Sequence, residues 1–168
     1  MNADLRALAD EFFEHLLETQ PTNAHMLGDY RYMDRIEDVS RAGEDAVIAK
    51  LREFSMRAKA FDPEELDGPD KITRETLIYE CDTTVGVTEM RQAEFGVDPI
   101  FGPQAVFQVA IPQMSVETPE HADKMLAKYS AIAGMLDQAG ERLREGIANN
   151  RVNAEFAVTK TVEQLGAV

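Results

Sequence analysis

Residues 118–147 read TPEHADKMLAKYSAIAGMLDQAGERLREGI, and no other segment of the chain holds one period for so long. Thr118 can cap a helix N-terminus and Pro119 suits the first helical position. Glu120 lies in the first turn, where the helix dipole favours an acid. Ala122, Met125, Leu126, Tyr129, Ile132, Ala133, Leu136, Ala139, Leu143 and Ile147 then return at steps of three and four. That spacing predicts an amphipathic helix of about eight turns with its apolar face on those residues. Asn149-Asn150 marks its predicted end.

The flanks supply other helices to pack beside it. Downstream, Asn153 can cap a last helix carrying Phe156, Val158, Val162 and Leu165, a pattern that has barely begun at Val168. Upstream, residues 96–118 hold Pro99, Pro103 and Pro112 among Ile100, Phe101, Val106, Phe107, Val109 and Ile111. So many prolines forbid a long helix, and so many apolar residues forbid a solvated loop. A packed, mostly irregular connection with one short helix from Pro103 is expected. Before it, Asp70 is expected to cap a helix reaching about Gln92, with Ile78, Cys81 and Val85 in line. Asp62-Pro63-Glu64-Glu65 is a further start signal, and Gly68-Pro69 breaks the chain. Ser40 can cap a helix whose stripe is Val47, Ile48, Leu51, Phe54, Ala58 and Phe61. The N-terminal run, Ala3 to Gln20, places Leu5, Leu8, Phe12, Phe13, Leu16 and Leu17 on one face. Pro21 stops it and can open a short helix that Gly28 closes in a left-handed turn. The fold class read from this order is all-α: an antiparallel array of about five main helices with a Pro-rich irregular connection near 96–118.

The chain has 168 residues, room for one domain with a real core. It carries 31 acidic against 17 basic residues, a net charge of −14, which repels phosphate backbones and anionic lipid. Neither nucleic acid nor a membrane is an expected partner. Cys81 is the one cysteine, so no intrachain disulfide forms. Asp4, Arg6 and Asp10 are unlike a signal peptide, and no apolar run nears the ~20 residues that span a bilayer. A cytoplasmic location is expected.

Catalytic chemistry is sparse. The histidines are His15, His25 and His121, and no two stand one turn apart as a helical zinc site requires. Glu11 with His15, and Glu117 with His121, have helical spacing and are expected as surface carboxylate–imidazole contacts. Cys81 falls on an apolar stripe, which predicts a buried structural thiol. The eight methionines lie mainly at core spacing and read as gap-fillers. The densest polar stretch is Gly28-Asp29-Tyr30-Arg31-Tyr32-Met33-Asp34-Arg35. Its arginines can grip a peptide carboxylate bidentately, or Asp29 and Asp34 can close on Arg31 and Arg35 as a self-contained knot. The balance of charge favours the knot.

The run Pro21-Thr22-Asn23-Ala24, then Gly28-Asp29-Tyr30-Arg31-Tyr32 and Asp34-Arg35, is similar to the opening of the bacterial DUF885 family. Asp98-Pro99-Ile100-Phe101-Gly102-Pro103-Gln104 resembles that family's middle loop. Thr118-Pro119-Glu120 with Tyr129, Leu136-Asp137-Gln138 and Leu143-Arg144-Glu145-Gly146 resemble the helix that follows, and Val162-Glu163-Gln164-Leu165 what comes after. One departure is Asn149-Asn150-Arg151-Val152-Asn153, where relatives commonly place a proline. The resemblance implies a helical protein of the zinc-metallopeptidase-like HExxH clan, its zinc on a later helix with a His-Glu pair and then Pro-Gly-His-His. No such motif occurs in residues 1–168.

The chain is therefore expected to be a single helical N-terminal region of a longer protein, truncated before the catalytic part. It would form a non-catalytic wall or lid of a peptidase cleft. No catalytic or metal residue carries over, and zinc is implied only for the full-length parent. The partners expected are the missing C-terminal catalytic part and a peptide substrate. Asp29, Arg31, Tyr32, Asp34 and Arg35 form the candidate substrate-binding or structural cluster. The alternative is a stand-alone acidic helical module that presents Asp98 to Met114 to a protein or peptide.

Overall fold

The computed structural model describes residues 2–167. Its helices are α1 (Ala3–Thr19), α2 (Pro21–Met26), α3 (Arg41–Lys59), α4 (Gly68–Glu89), α5 (Pro103–Ala110), α6 (Pro119–Ala148) and α7 (Glu155–Leu165). Single 3-10 turns lie at Tyr30–Tyr32, Pro63–Glu65, Gln92–Glu94 and Ile111–Gln113, and no strand occurs among the described residues. The fold is all-α. Two compact units form: one of the residues up to Thr19 with Ala42–Met90, the other of Gln20–Arg41 with the residues from Arg91 on.

The first unit follows the hydrophobic pattern closely. Leu8 of α1, Ile48, Leu51, Phe54 and Ala58 of α3, and Leu77, Cys81 and Val85 of α4 make its core. Phe12 meets Phe54 edge-to-face at 5.6 Å between ring centroids. Each large apolar side chain buried in this way stabilises the unit by about 1.5–3 kcal/mol. Over the core, Arg57 donates to Glu11 at 2.7 Å, and Ser55 Oγ donates to Asp82 at 2.6 Å. The cap of α4 is Asp67, not Asp70: its carboxylate accepts from the Asp70 N–H at 2.8 Å. Pro69 sits in the first turn, where its missing N–H costs nothing, so the helix starts at Gly68 instead of breaking there. Asp70 is buried and accepts from the Asn2 N–H at 2.6 Å. Arg91 takes a left-handed conformation (φ 59°), which ends α4 before Gln92. Asp62-Pro63-Glu64-Glu65 makes a 3-10 turn, with Asp62 accepting from the Glu64 N–H.

The second unit departs from the pattern. Met33, Ala110, Met114 and Met125 form an apolar cluster with Tyr30 and Ile111 against it. On α6 the buried residues are Met125, Lys128, Met135, Arg142 and Gly146, whereas Leu126, Tyr129, Leu136 and Ile147 of the expected stripe are exposed. Two seams run along this helix, offset by one residue, and both advance by alternate steps of three and four. The inward one passes through 125, 128, 132, 135, 139, 142 and 146, with Ile132 and Ala139 half-buried. Lys128 and Arg142 read as surface residues, but their aliphatic stems pack and their charged ends find partners. In the Pro-rich connection Phe107 is buried as expected, together with Ala105, Ala110 and Met114, yet Ile100, Phe101, Val106 and Val109 are exposed. The cap position of α7 is Ala154, not Asn153, whose side chain accepts from the Ala154 N–H and donates to the Val97 carbonyl. Phe156, Val158, Val162 and Leu165 are exposed on α7, and only Thr161 is buried. Among the described residues no helix is long and apolar enough to cross a membrane.

Candidate functional site

A buried carboxylate organises the second unit. Arg91 turns the chain left-handed, and the short turn that follows carries Glu94 inward until its side chain has no exposed surface. Arg41 Nη2 donates to Glu94 Oε1, and Arg151 donates to Oε2 through Nε at 2.6 Å and through Nη2. Arg142 Nη2 lies 3.6 Å from Oε1. Arg41 also donates to Glu145 Oε2 at 2.7 Å, so three arginines and two glutamates from four stretches of chain meet in one network. Burial alone raises the Glu94 carboxyl, but the hydrogen bonds from Arg151 and Arg41 outweigh it and hold the group below its ordinary value. Gly146 completes the packing, since a Cβ there would strike the Glu94 carbonyl and come within 2.8 Å of the Arg151 carbonyl.

A second polar centre surrounds Lys128, which is fully buried. Its Nζ donates to Thr22 Oγ1 at 3.3 Å, and Thr22 donates through N and Oγ1 to Glu37 at 2.8 Å each. Burial pushes the Lys128 pKa below its ordinary value, with Glu37 and Asp34 pulling it partway back.

The 29–35 cluster folds largely on itself. Asp29 caps the 3-10 turn by accepting from the Arg31 N–H, and it pairs with the Arg31 guanidinium at 2.6 Å. Arg31 and Arg35 lie over the Tyr32 ring at 5.3 and 5.2 Å. Asp34 faces Lys128 electrostatically. Arg31 pairs within the turn as the knot reading expects, and Arg35 stacks on the Tyr32 ring.

Neither expected carboxylate–imidazole contact forms. The Glu11 carboxylate is taken by Arg57 and Lys50, and His15 packs on Phe54 with ring centroids 5.7 Å apart. The Glu117 carboxylate accepts from the Tyr30 hydroxyl at 3.2 Å, leaving His121 Nδ1 to accept from the Glu117 backbone N–H at 3.4 Å. His25 is buried, and its Nε2 donates to the Ser115 carbonyl at 2.9 Å. Among the described residues no group of three or more His, Cys, Asp or Glu is placed to hold a metal ion. The zinc of the resemblance does not fit the residues present. Cys81 is buried, and burial with the nearby Asp82 and Glu80 charges pushes its thiol up to about 11. Met33, Met114, Met125 and Met135 fill core positions, but Met26, Met56 and Met90 are exposed.

Beside the Glu94 network the second unit has a pocket of about 510 Å³. Val39, Phe95, Phe101, Pro103, Ala139 and Leu143 form its apolar walls, with Gln92, Asp98, Asn153 and Arg142 as polar neighbours.

The chain is thus an all-helical protein in which a buried ion-pair network adjoins an open pocket. The model of the family described as "Bacterial protein of unknown function (DUF885)" matches residues 21–168, and the chain belongs to that family. No curated protein and no solved structure matches it.

Proposed function

We propose that this chain is the non-catalytic helical wall or lid of a DUF885-type zinc-dependent peptidase whose metal-binding motif is carried by other residues of the parent protein. The exposed apolar face of α7 carries this reading: Val162 is 63% and Leu165 55% exposed, with Val158 on the same face. A soluble protein leaves such side chains in water singly, but a run of them on one helix marks a surface meant for burial. His15 packs on Phe54, and His25 and His121 both pack against the Tyr30 ring. In that role the helices shape a cleft and shield it from water while the metal half does the chemistry.

The test uses the chain as it stands. Titrated with zinc, it takes up no stoichiometric ion, and it cleaves no peptide in the presence or absence of a chelator. Tight one-to-one uptake, or cleavage that a chelator abolishes, refutes the reading. Amide exchange in α7 is fast in this chain and slows when the metal-bearing part is present. A second reading, a stand-alone acidic helical module binding a protein or peptide, draws on the exposure of Ile100, Phe101 and Val109 in the Pro-rich segment. Reading the gene past codon 168 separates the two: an open frame into a histidine-bearing motif supports the peptidase, and a stop supports the module.

A further inference from the structure

The pocket beside Glu94 has the size and lining of a small-molecule site, since such sites span roughly 300–1,000 Å³ with apolar walls and a few placed polar groups. Its polar neighbours are not equivalent. Arg142 is 1% exposed and lies against Glu94 and Glu145, so it offers almost no surface to a ligand. Asn153 spends its amide on the Val97 carbonyl and the Ala154 N–H. Asp98 and Gln92 are left to meet an occupant.

Asp98 is held firmly in place. Its Oδ1 accepts from the Ile100 and Phe101 N–H groups at 2.7 and 2.8 Å. Its carbonyl accepts from Gly102 N and from Gln104 Nε2, each at 2.9 Å. Gln164 of α7 donates to the Pro99 carbonyl at 3.1 Å. Gly102 has to be glycine, because a Cβ there would strike the Asp98 carbonyl and the Gln104 amide. The two backbone N–H groups also hold the Asp98 carboxyl below its ordinary range, so it is anionic at neutral pH.

We infer that this pocket binds a small apolar molecule, or the end of a peptide, that carries a primary ammonium. The apolar body lies among Phe95, Ala139 and Leu143, and the ammonium meets the Asp98 carboxylate with Gln92 beside it. Phe101, 81% exposed on the pocket wall, closes over the apolar body. The inference does not depend on the peptidase reading: a chain that binds such an amine does so whether or not a metal-bearing half exists.

Three probes of one shape test it: 4-phenylbutylamine, 4-phenylbutanol and 4-phenylbutyrate, each titrated while the amide resonances of Phe95, Ala139 and Leu143 and the methyl resonances of Ala139 and Leu143 are followed. The amine shifts these resonances and binds about fivefold more tightly than the alcohol, the scale of one partly exposed charge contact, and the acid binds more weakly still. Asp98→Asn keeps the Oδ1 acceptor for both loop N–H groups and removes the charge, so it brings the amine level with the alcohol. Ala139→Phe fills the pocket and abolishes the shifts for all three. Equal affinity of amine and alcohol in the unaltered protein overturns the inference, as does tighter binding of the acid or the absence of any shift at these residues. These comparisons decide the matter even if a variant fails to fold. Phe-Ala-amide set against its N-acetyl form then separates the two sources of the ammonium: binding of the free form alone assigns a peptide end, and binding of neither assigns a free amine.

Discussion

Replacing Glu94 by Gln removes one charge from the centre of the second unit and leaves the shape nearly unchanged. Two arginines, Arg41 and Arg151, then lose their charge-assisted bonds to that side chain. A hydrogen bond to a charged group contributes about 1.5–3 kcal/mol, so counted once per arginine the gross loss is roughly 3–6 kcal/mol. The Arg41 and Arg151 side chains are 31% and 37% exposed and recover part of this by rehydration, whereas Arg142 cannot. The net cost is therefore about 3 kcal/mol, the low end for breaking a buried ion pair. Melting temperature falls by roughly 6–12 °C, at about 2–4 °C per kcal/mol for a chain of this size.

Urea denaturation followed through α6 amides measures the loss, because urea leaves ion pairs unscreened. The pH dependence supplies the control. The Glu94 pKa is lowered on folding, so its contribution is complete above the unfolded value, near 4.5, and is lost as pH falls through the folded value below that. The gap between wild type and variant thus narrows in acid, where the wild-type residue also becomes neutral. A loss under about 1 kcal/mol at neutral pH, or a gap that stays constant into acid, would refute the account of the network.

Other perturbations probe neighbouring claims. Gly146→Ala raises helix propensity by about 1 kcal/mol, yet it should destabilise by about 1–3 kcal/mol or more, because the new Cβ strikes the Glu94 carbonyl; a higher thermal midpoint contradicts the packing described. Lys128→Met removes a buried cation and is expected to be neutral or stabilising at pH 7. The folded Lys128 pKa lies below 10.5, so the wild type gains stability as pH rises towards 10.5 and the variant does not; urea midpoints at about pH 8 and pH 10 show whether this holds. The buried Cys81 thiol, pushed up to about 11, resists iodoacetamide in the native protein and reacts stoichiometrically in urea; prompt labelling of folded protein contradicts its burial.

The apolar period by itself locates α1, α3 and α4, and Leu8, Leu51, Phe54 and Cys81 are buried where that period puts them. Thr118 is legible as a cap for the same kind of reason: its side chain accepts from the N–H of His121, three residues on, a contact that needs nothing from the rest of the chain. The Asp29–Arg31 pair is equally local. The Glu94 network is not legible. Glu94, Arg41, Arg151 and the α6 pair Arg142 and Glu145 come from four separate stretches, and each in isolation reads as an ordinary surface charge. One signal exists: positions 128 and 142 continue the three-and-four rhythm of Met125, Ile132 and Ala139, which belong to the expected face, and of Met135 and Gly146.

Sequence alone settled the helices, most of their ends, and the all-α class, since backbone hydrogen bonding and side-chain period act within a few residues of each other. Tertiary structure alone decided which of the two α6 seams faces inward. Local sequence favours the row without the two cations, Lys128 and Arg142, yet the fold buries the row that holds them. The choice falls to partners distant in sequence, a buried carboxylate for Arg142 and a threonine for Lys128, which make the polar-looking row the one that can be buried.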